Sequence, residues 1–189
     1  MISDLKLFAL NGMLAEEAIS DLVEKGLPLR EGIATFQRTD LAELNFVPTL
    51  VAESEKMAEV FRAFYCIENS ARLLIVDRMA EKYGSDWWEE VPTRIKTKVS
   101  TMQTNEAEHR YRAERSGDNI SYTFFGSLKD IIVARWDDFS DLFPDQHWVS
   151  SRFNDLESAR NIVMHTCMLP DEEIARVHTI ARDWIRQVE

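Results

Sequence analysis

Between Pro48 and Tyr83, apolar residues recur every three or four positions, at Met57, Val60, Phe61, Phe64, Ile67, Ala71 and Leu74. That spacing lines one face of a helix, and Gly84-Ser85-Asp86 ends it. Pro92 suits the first turn of a second helix, where its missing N–H costs no intrahelical bond. This helix is expected over residues 92–115, with Ser116-Gly117-Asp118-Asn119 as the following loop. The window Ile120 to Phe125 is strand-like. It runs straight into a helical stripe of Leu128, Ile131, Ile132, Trp136, Phe139 and Phe143, so it reads as loop and helix start, with a helix over about 123–143. Pro144-Asp145 stops that helix, and two more are expected at 147–166 and 170–188. The last opens on Pro170-Asp171-Glu172-Glu173, carboxylates at the positive end of the helix dipole. It carries Ile174, Val177, Ala181, Trp184 and Val188 on one side. Upstream, residues 2–25 and 29–45 read as short helices broken at Gly26-Leu27-Pro28. The pattern predicts an all-α fold: an antiparallel helical bundle over residues 48–189 with a short N-terminal helical appendage, residues 1–47.

Composition sharpens this. Six Gly and five Pro in 189 residues are few for a chain of many short strands. An apolar fraction of 45% excludes disorder. Charges interrupt every hydrophobic stretch, the N-terminus has no signal-peptide core, and Cys66 and Cys167 are too few for a disulfide framework. The expectation is a soluble cytoplasmic protein with both thiols reduced and structural. The net charge of −11 argues against binding nucleic acid by global attraction. The charge is uneven, however: Arg94, Lys96, Lys98, Arg110, Arg112 and Arg115 face only three Glu within residues 94–115. This strip can guide a nucleic acid on an acidic body or simply be a solvated helix face.

Familiar catalytic signatures are missing. There is no Gly-rich phosphate loop, no His-Glu-x-x-His and no Cys-x-x-Cys, and the His residues lack ligand spacing, so neither a metal nor another cofactor is expected. His165 stands out, within Glu157-Ser158-Ala159-Arg160-Asn161-Ile162-Val163-Met164-His165. On a helical projection Leu156, Ala159, Ile162 and Val163 share one arc. Glu157, Arg160, Asn161 and His165 take the other side, with Met164 and Phe153 among them. Such a mixed face suits cover by another helix or a second copy of the chain. Spacing alone favours an Arg160–Glu157 pair with His165 capping the helix C-terminus.

Arg160 to His165, an Arg and a polar residue followed by three others before a His, resembles the signature of the HEPN superfamily (higher eukaryotes and prokaryotes nucleotide-binding domains). The surroundings resemble its Swt-type branch, named after a nuclear messenger-RNA quality-control endoribonuclease. The blocks are Ile67 to Ile75, Trp87-Trp88 with Val91-Pro92, Phe125 through Trp136 to Phe139, and Arg160–His165 with Leu169 to Glu173. They span about residues 55–185. The resemblance implies a helical bundle that forms a homodimer with two motifs facing each other. It also implies metal-independent endoribonuclease activity in many members and a non-catalytic dimerisation or nucleotide/RNA-binding role in others. Arg160, Asn161 and His165 are then the catalytic candidates, with Glu68, Arg72 and Glu157 supporting them and RNA as substrate. A toxin or antiviral-defence effector, with an antitoxin or defence-system partner protein, fits that activity. Where nucleotidylated HEPN toxins carry a Tyr two residues after the motif His, this chain has Cys167.

Overall fold

The computed structural model describes residues 46–109, 111, 115 and 117–188, and Phe46–Glu189 forms one compact unit. The expected helices at 2–25 and 29–45, and with them nearly all of the appendage, lie outside the described residues. Helix α1 spans Pro48–Tyr83, α2 Thr93–Ala107, α3 Phe125–Ala134, α4 Gln146–Met164 and α5 Asp171–Val188. Short 3-10 turns cover Gly84–Glu90, Asn119–Tyr122 and Trp136–Asp138. No strand occurs among the described residues, so the all-α expectation holds.

Helix α1 is the spine. It buries Val60, Phe64, Ile67, Ala71, Ile75 and Met79, a stripe at helical spacing that α3, α4 and α5 cover. Its end is set by Gly84, whose φ of 69° lies in the left-handed region that costs a glycine nothing. Phe61, expected on the buried face, falls outside the stripe and is 43% exposed. Cross-links fix the directions. Leu169 N–H points to Met57 Sδ at 3.5 Å, while Glu68 lies within the field of Arg160, so α4 runs antiparallel to α1. Ion pair Lys56–Asp171 and the Trp184 Nε1–Ser70 Oγ hydrogen bond (3.0 Å) run α5 alongside α1 in the same direction. Arg72 meets Thr123 and Lys82 meets Asp138, so α3 is parallel to α1 as well. The bundle is therefore mixed: only α4 opposes α1 among its three covering helices.

Two helices end earlier than periodicity suggested. Helix α2 stops at Ala107 instead of continuing to 115, because after the buried Ile95 and Val99 and the half-buried Met102 its sequence offers no apolar face. Tyr111 is 79% exposed. Helix α3 stops at Ala134 instead of 143, where Arg135 swings out to hydrogen-bond the Glu90 carbonyl (2.8 Å) and pair with its carboxylate. Phe139 and Phe143 still reach the core, from turns instead of a helix. Phe143 stacks between Trp148 and Trp184, 5.6 Å from each. Helix α4 is capped by Asp145, whose carboxylate accepts the Trp148 N–H at 2.7 Å. No helix among the described residues is long and apolar enough to cross a membrane.

Candidate active site

Helix α4 buries Val149, Phe153, Leu156 and Ala159. Phe153, expected on the outward face, is thus core, and Ile162, expected inward, is 42% exposed. The motif occupies the last turn and a half of α4, where the helix leaves the core. Asn161 and His165 lie one turn apart and both are exposed. Arg160 and His165 are separated by about 7.5 Å of rise and about 140° of rotation. One chain therefore offers the guanidinium and the imidazole in different directions.

The end of α4 explains how His165 is held. His165 is the C-cap; its N–H bonds the carbonyls of Asn161 and Ile162, each at 3.2 Å. Thr166 follows at φ 59°, with its N–H on the Val163 carbonyl (2.9 Å) and the Cys167 N–H on the Ile162 carbonyl (3.2 Å). This is a Schellman closure with a β-branched residue where glycine is usual. The left-handed conformation costs a non-glycine residue roughly 1–2 kcal/mol, partly offset by the Thr166 hydroxyl donating to the His165 carbonyl at 2.7 Å. Replacing Thr166 with Gly is expected to stabilise the fold by up to about 1 kcal/mol, visible as a higher urea midpoint; a lower midpoint would show that the hydroxyl outweighs the strain. Among the described residues nothing hydrogen-bonds the His165 ring, which stands open to solvent beside Met164.

Arg160 does not pair with Glu157. Its guanidinium lies 4.9 Å from the centre of the Phe124 ring and makes a long 3.4 Å hydrogen bond to Asn161 Oδ1. Glu157 instead reaches the first turn of α3, so close to Gly126 that a Cβ there would sit 2.5 Å from its Oε2. A carboxylate at that helix N-terminus is favoured by the dipole. Beneath them Glu68 and Arg72 form an ion pair only 13% and 15% exposed. Arg72 also donates to Asn69 Oδ1 (3.0 Å) and to the Thr123 carbonyl (2.6 Å), which anchors the residue preceding Phe124. Burial pushes the Glu68 carboxyl above the ordinary range, against the pull of Arg72 and Arg160, and the charge of Glu157 adds to the rise. Glu68, Arg72, Glu157 and Arg160 thus meet around Thr123-Phe124, and the two helices α1 and α4 are tied to the start of α3.

The cationic strip breaks up. Arg94 pairs with Asp130 and Lys96 with Glu89 (2.8 Å), while Arg115 meets Glu106 at 3.1 Å. Lys98 lies over the Phe124 ring, 5.7 Å from its centre, and Arg115 reaches the same ring at 5.7 Å. Arg110 and Arg112 lie outside the described residues. Phe124 is the residue that sequence reasoning missed; its only signal was an aromatic at the mouth of the strand-like window. Phe61, Tyr65, Ile162, Met164 and Met168 are all at least 40% exposed, and of these only Met164 was expected on the outward face. The antiparallel register of α1 and α4 puts Phe61 and Tyr65 at the level of Ile162 to His165 along the bundle. Cys66 and Cys167 are free and exposed, not parts of the core. Among the described residues no three His, Cys, Asp or Glu come together as a metal cage.

No curated protein and no solved structure matches the chain significantly. The family model described as Swt1-like HEPN matches residues 62–189, two thirds of the sequence and the whole of the motif-bearing bundle from the middle of α1 onward. The chain belongs to the Swt1-like HEPN family.

Proposed function

We propose that the protein is a metal-independent endoribonuclease that works as a homodimer, with His165 as general acid and base and Arg160 stabilising the phosphate. The observation that carries this reading is the open His165 imidazole at the end of the helix that also presents Arg160, whose guanidinium makes no ion pair among the described residues and lies over the Phe124 ring. RNA supplies its own nucleophile. The 2′-hydroxyl attacks the adjacent phosphorus, its proton passes to one imidazole, and the leaving 5′-oxygen takes a proton from a second group. The products are a 2′,3′-cyclic phosphate and a 5′-hydroxyl end. An imidazole, with an unperturbed pKa of about 6.5, suits both proton transfers near neutrality. A guanidinium offers the charge on the phosphorane oxygens a planar fork of donors.

In-line displacement needs base and acid on opposite sides of the phosphorus, and each chain has one motif His. Two chains meeting over Phe61, Tyr65, Ile162, Met164 and Met168 supply two His165 and two Arg160 around one phosphate. HEPN domains often dimerise, which agrees with this arrangement. Asn161, one turn before His165, orients the ring or holds a phosphate oxygen. Glu68 and Arg72 act by fixing Thr123 and hence the ring that carries Arg160. Such an activity fits a toxin or defence effector that disables RNA. The test is incubation of the purified protein with labelled single-stranded RNA in excess EDTA. Cleavage is expected; none on varied RNAs would favour the non-catalytic dimerisation or nucleotide-binding reading.

A further inference from the structure

Lys98 from α2, Arg115 from the segment after it and Arg160 from α4 converge on one ring, that of Phe124. A ring face attracts cations through its quadrupole, but three like charges around it repel one another. Elsewhere on this surface the chain resolves such repulsion with carboxylates: Arg94 has Asp130 and Lys96 has Glu89, and at the ring itself Arg115 has Glu106. Among the described residues Lys98 and Arg160 have no carboxylate within ion-pair distance, although Glu157 lines the same open cleft as Lys98, together with Arg94, Lys129 and Asp130. Glu157 is turned instead to the start of α3. With Glu106 on Arg115, Glu68 in the wider field of Arg160 and no carboxylate on Lys98 among the described residues, the three cations around one ring keep a positive balance on the Lys98 side, a place that an anion completes.

We propose that Lys98, gathered beside Arg115 on Phe124, forms a phosphate subsite that holds the RNA backbone one step away from the phosphate gripped by Arg160. The inference rests on the ribonuclease reading above and adds to it the direction in which the strand leaves the site: from the end of α4 across Phe124 towards α2. Arg160 and Lys98 lie against the same ring, at 4.9 and 5.7 Å from its centre, so the ring sets the spacing of successive backbone contacts. Phe124 is then a positioning residue, and Lys98 a binding residue with no part in proton transfer. Its contribution is the same for every base, because phosphate contacts fix position and carry no sequence information.

The probe is a fluorescent single-stranded RNA oligonucleotide with 2′-O-methyl groups throughout, which removes the nucleophile, titrated by anisotropy at several salt concentrations. An unmodified copy measures cleavage in parallel. Each single-strand phosphate contact contributes about 0.7 to the slope of log affinity against log salt. Lys98→Gln is expected to weaken binding several-fold and flatten that slope by about 0.7, raising KM for cleavage while kcat holds. Arg182→Gln, which removes an exposed charge on α5, should leave affinity and slope alone. Phe124→Leu keeps the bulk and loses the quadrupole; it should weaken binding and make the further loss from Lys98→Gln smaller than in the wild type. Unchanged affinity and slope in Lys98→Gln, with wild-type cleavage intact, would overturn the subsite and spare the nuclease reading, as would an equal fall in Arg182→Gln. Lys98-dependent binding without any cleavage of the unmodified strand would support the subsite and overturn the nuclease reading. A wild type that neither binds nor cuts would overturn both.

Discussion

His165→Ala is expected to lower RNA cleavage by about a hundred- to ten-thousand-fold, the usual contribution of a positioned acid–base group, with little change in folding. The side chain is exposed at the C-cap of α4 and nothing described hydrogen-bonds its ring. The α4 closure is made by the backbones of His165, Thr166 and Cys167 and survives the truncation. Circular dichroism and sedimentation should therefore match the wild type while the single-turnover rate collapses. Arg160→Lys should be nearly as damaging: an ammonium keeps the charge but loses the fork of donors and the guanidinium's place over the Phe124 ring. Asn161→Ala should fall between wild type and these two. Rates equal to wild type in His165→Ala would assign the activity to another site or to a contaminant.

The second large effect concerns assembly. Tyr65→Glu and Ile162→Glu each put a charge into the apolar cluster, at positions 62% and 42% exposed, where the monomer fold tolerates it. If two chains meet there, each substitution buries an unpaired carboxylate in the interface. Losses of 2 kcal/mol or more, about thirtyfold in dissociation constant, are typical of central interface positions. The combined variant should sediment as a monomer at micromolar concentration and lose cleavage in proportion, with activity returning as concentration rises. A variant that stays dimeric and fully active would put the interface elsewhere and remove the argument for a composite site.

Much of this was legible in the sequence because it rests on local pattern. The α1 stripe, the Gly84 stop and the acidic start of α5 are set by residues within a turn or two of one another. The overextended helices show what pattern alone lacks. Phe139 and Phe143 keep helical spacing, yet Arg135 finds Glu90, 45 residues away, and the chain turns there. Helix α2 ends where its apolar face runs out, a fact that propensity for Lys, Glu and Ala does not reveal. At the site, the motif pointed to Arg160, Asn161 and His165, but not to Phe124, whose role depends on α2 and α4 both reaching the same loop. The closure at Thr166 was equally hidden, since no glycine marks it. Ile162 and Phe61 looked like core residues because a helical projection shows which side chains share a face but not whether anything covers that face.

The most direct measurement is the chemistry of the cut ends. Wild-type protein and His165→Ala, both shown to be folded and dimeric, are incubated with RNA in excess EDTA, and the fragments are analysed by mass spectrometry. Transesterification by the 2′-hydroxyl predicts 2′,3′-cyclic phosphate and 5′-hydroxyl ends from the wild type and an uncut strand from His165→Ala. Fragments ending in 3′-hydroxyl and 5′-phosphate, or cuts made equally by both proteins, would contradict the account.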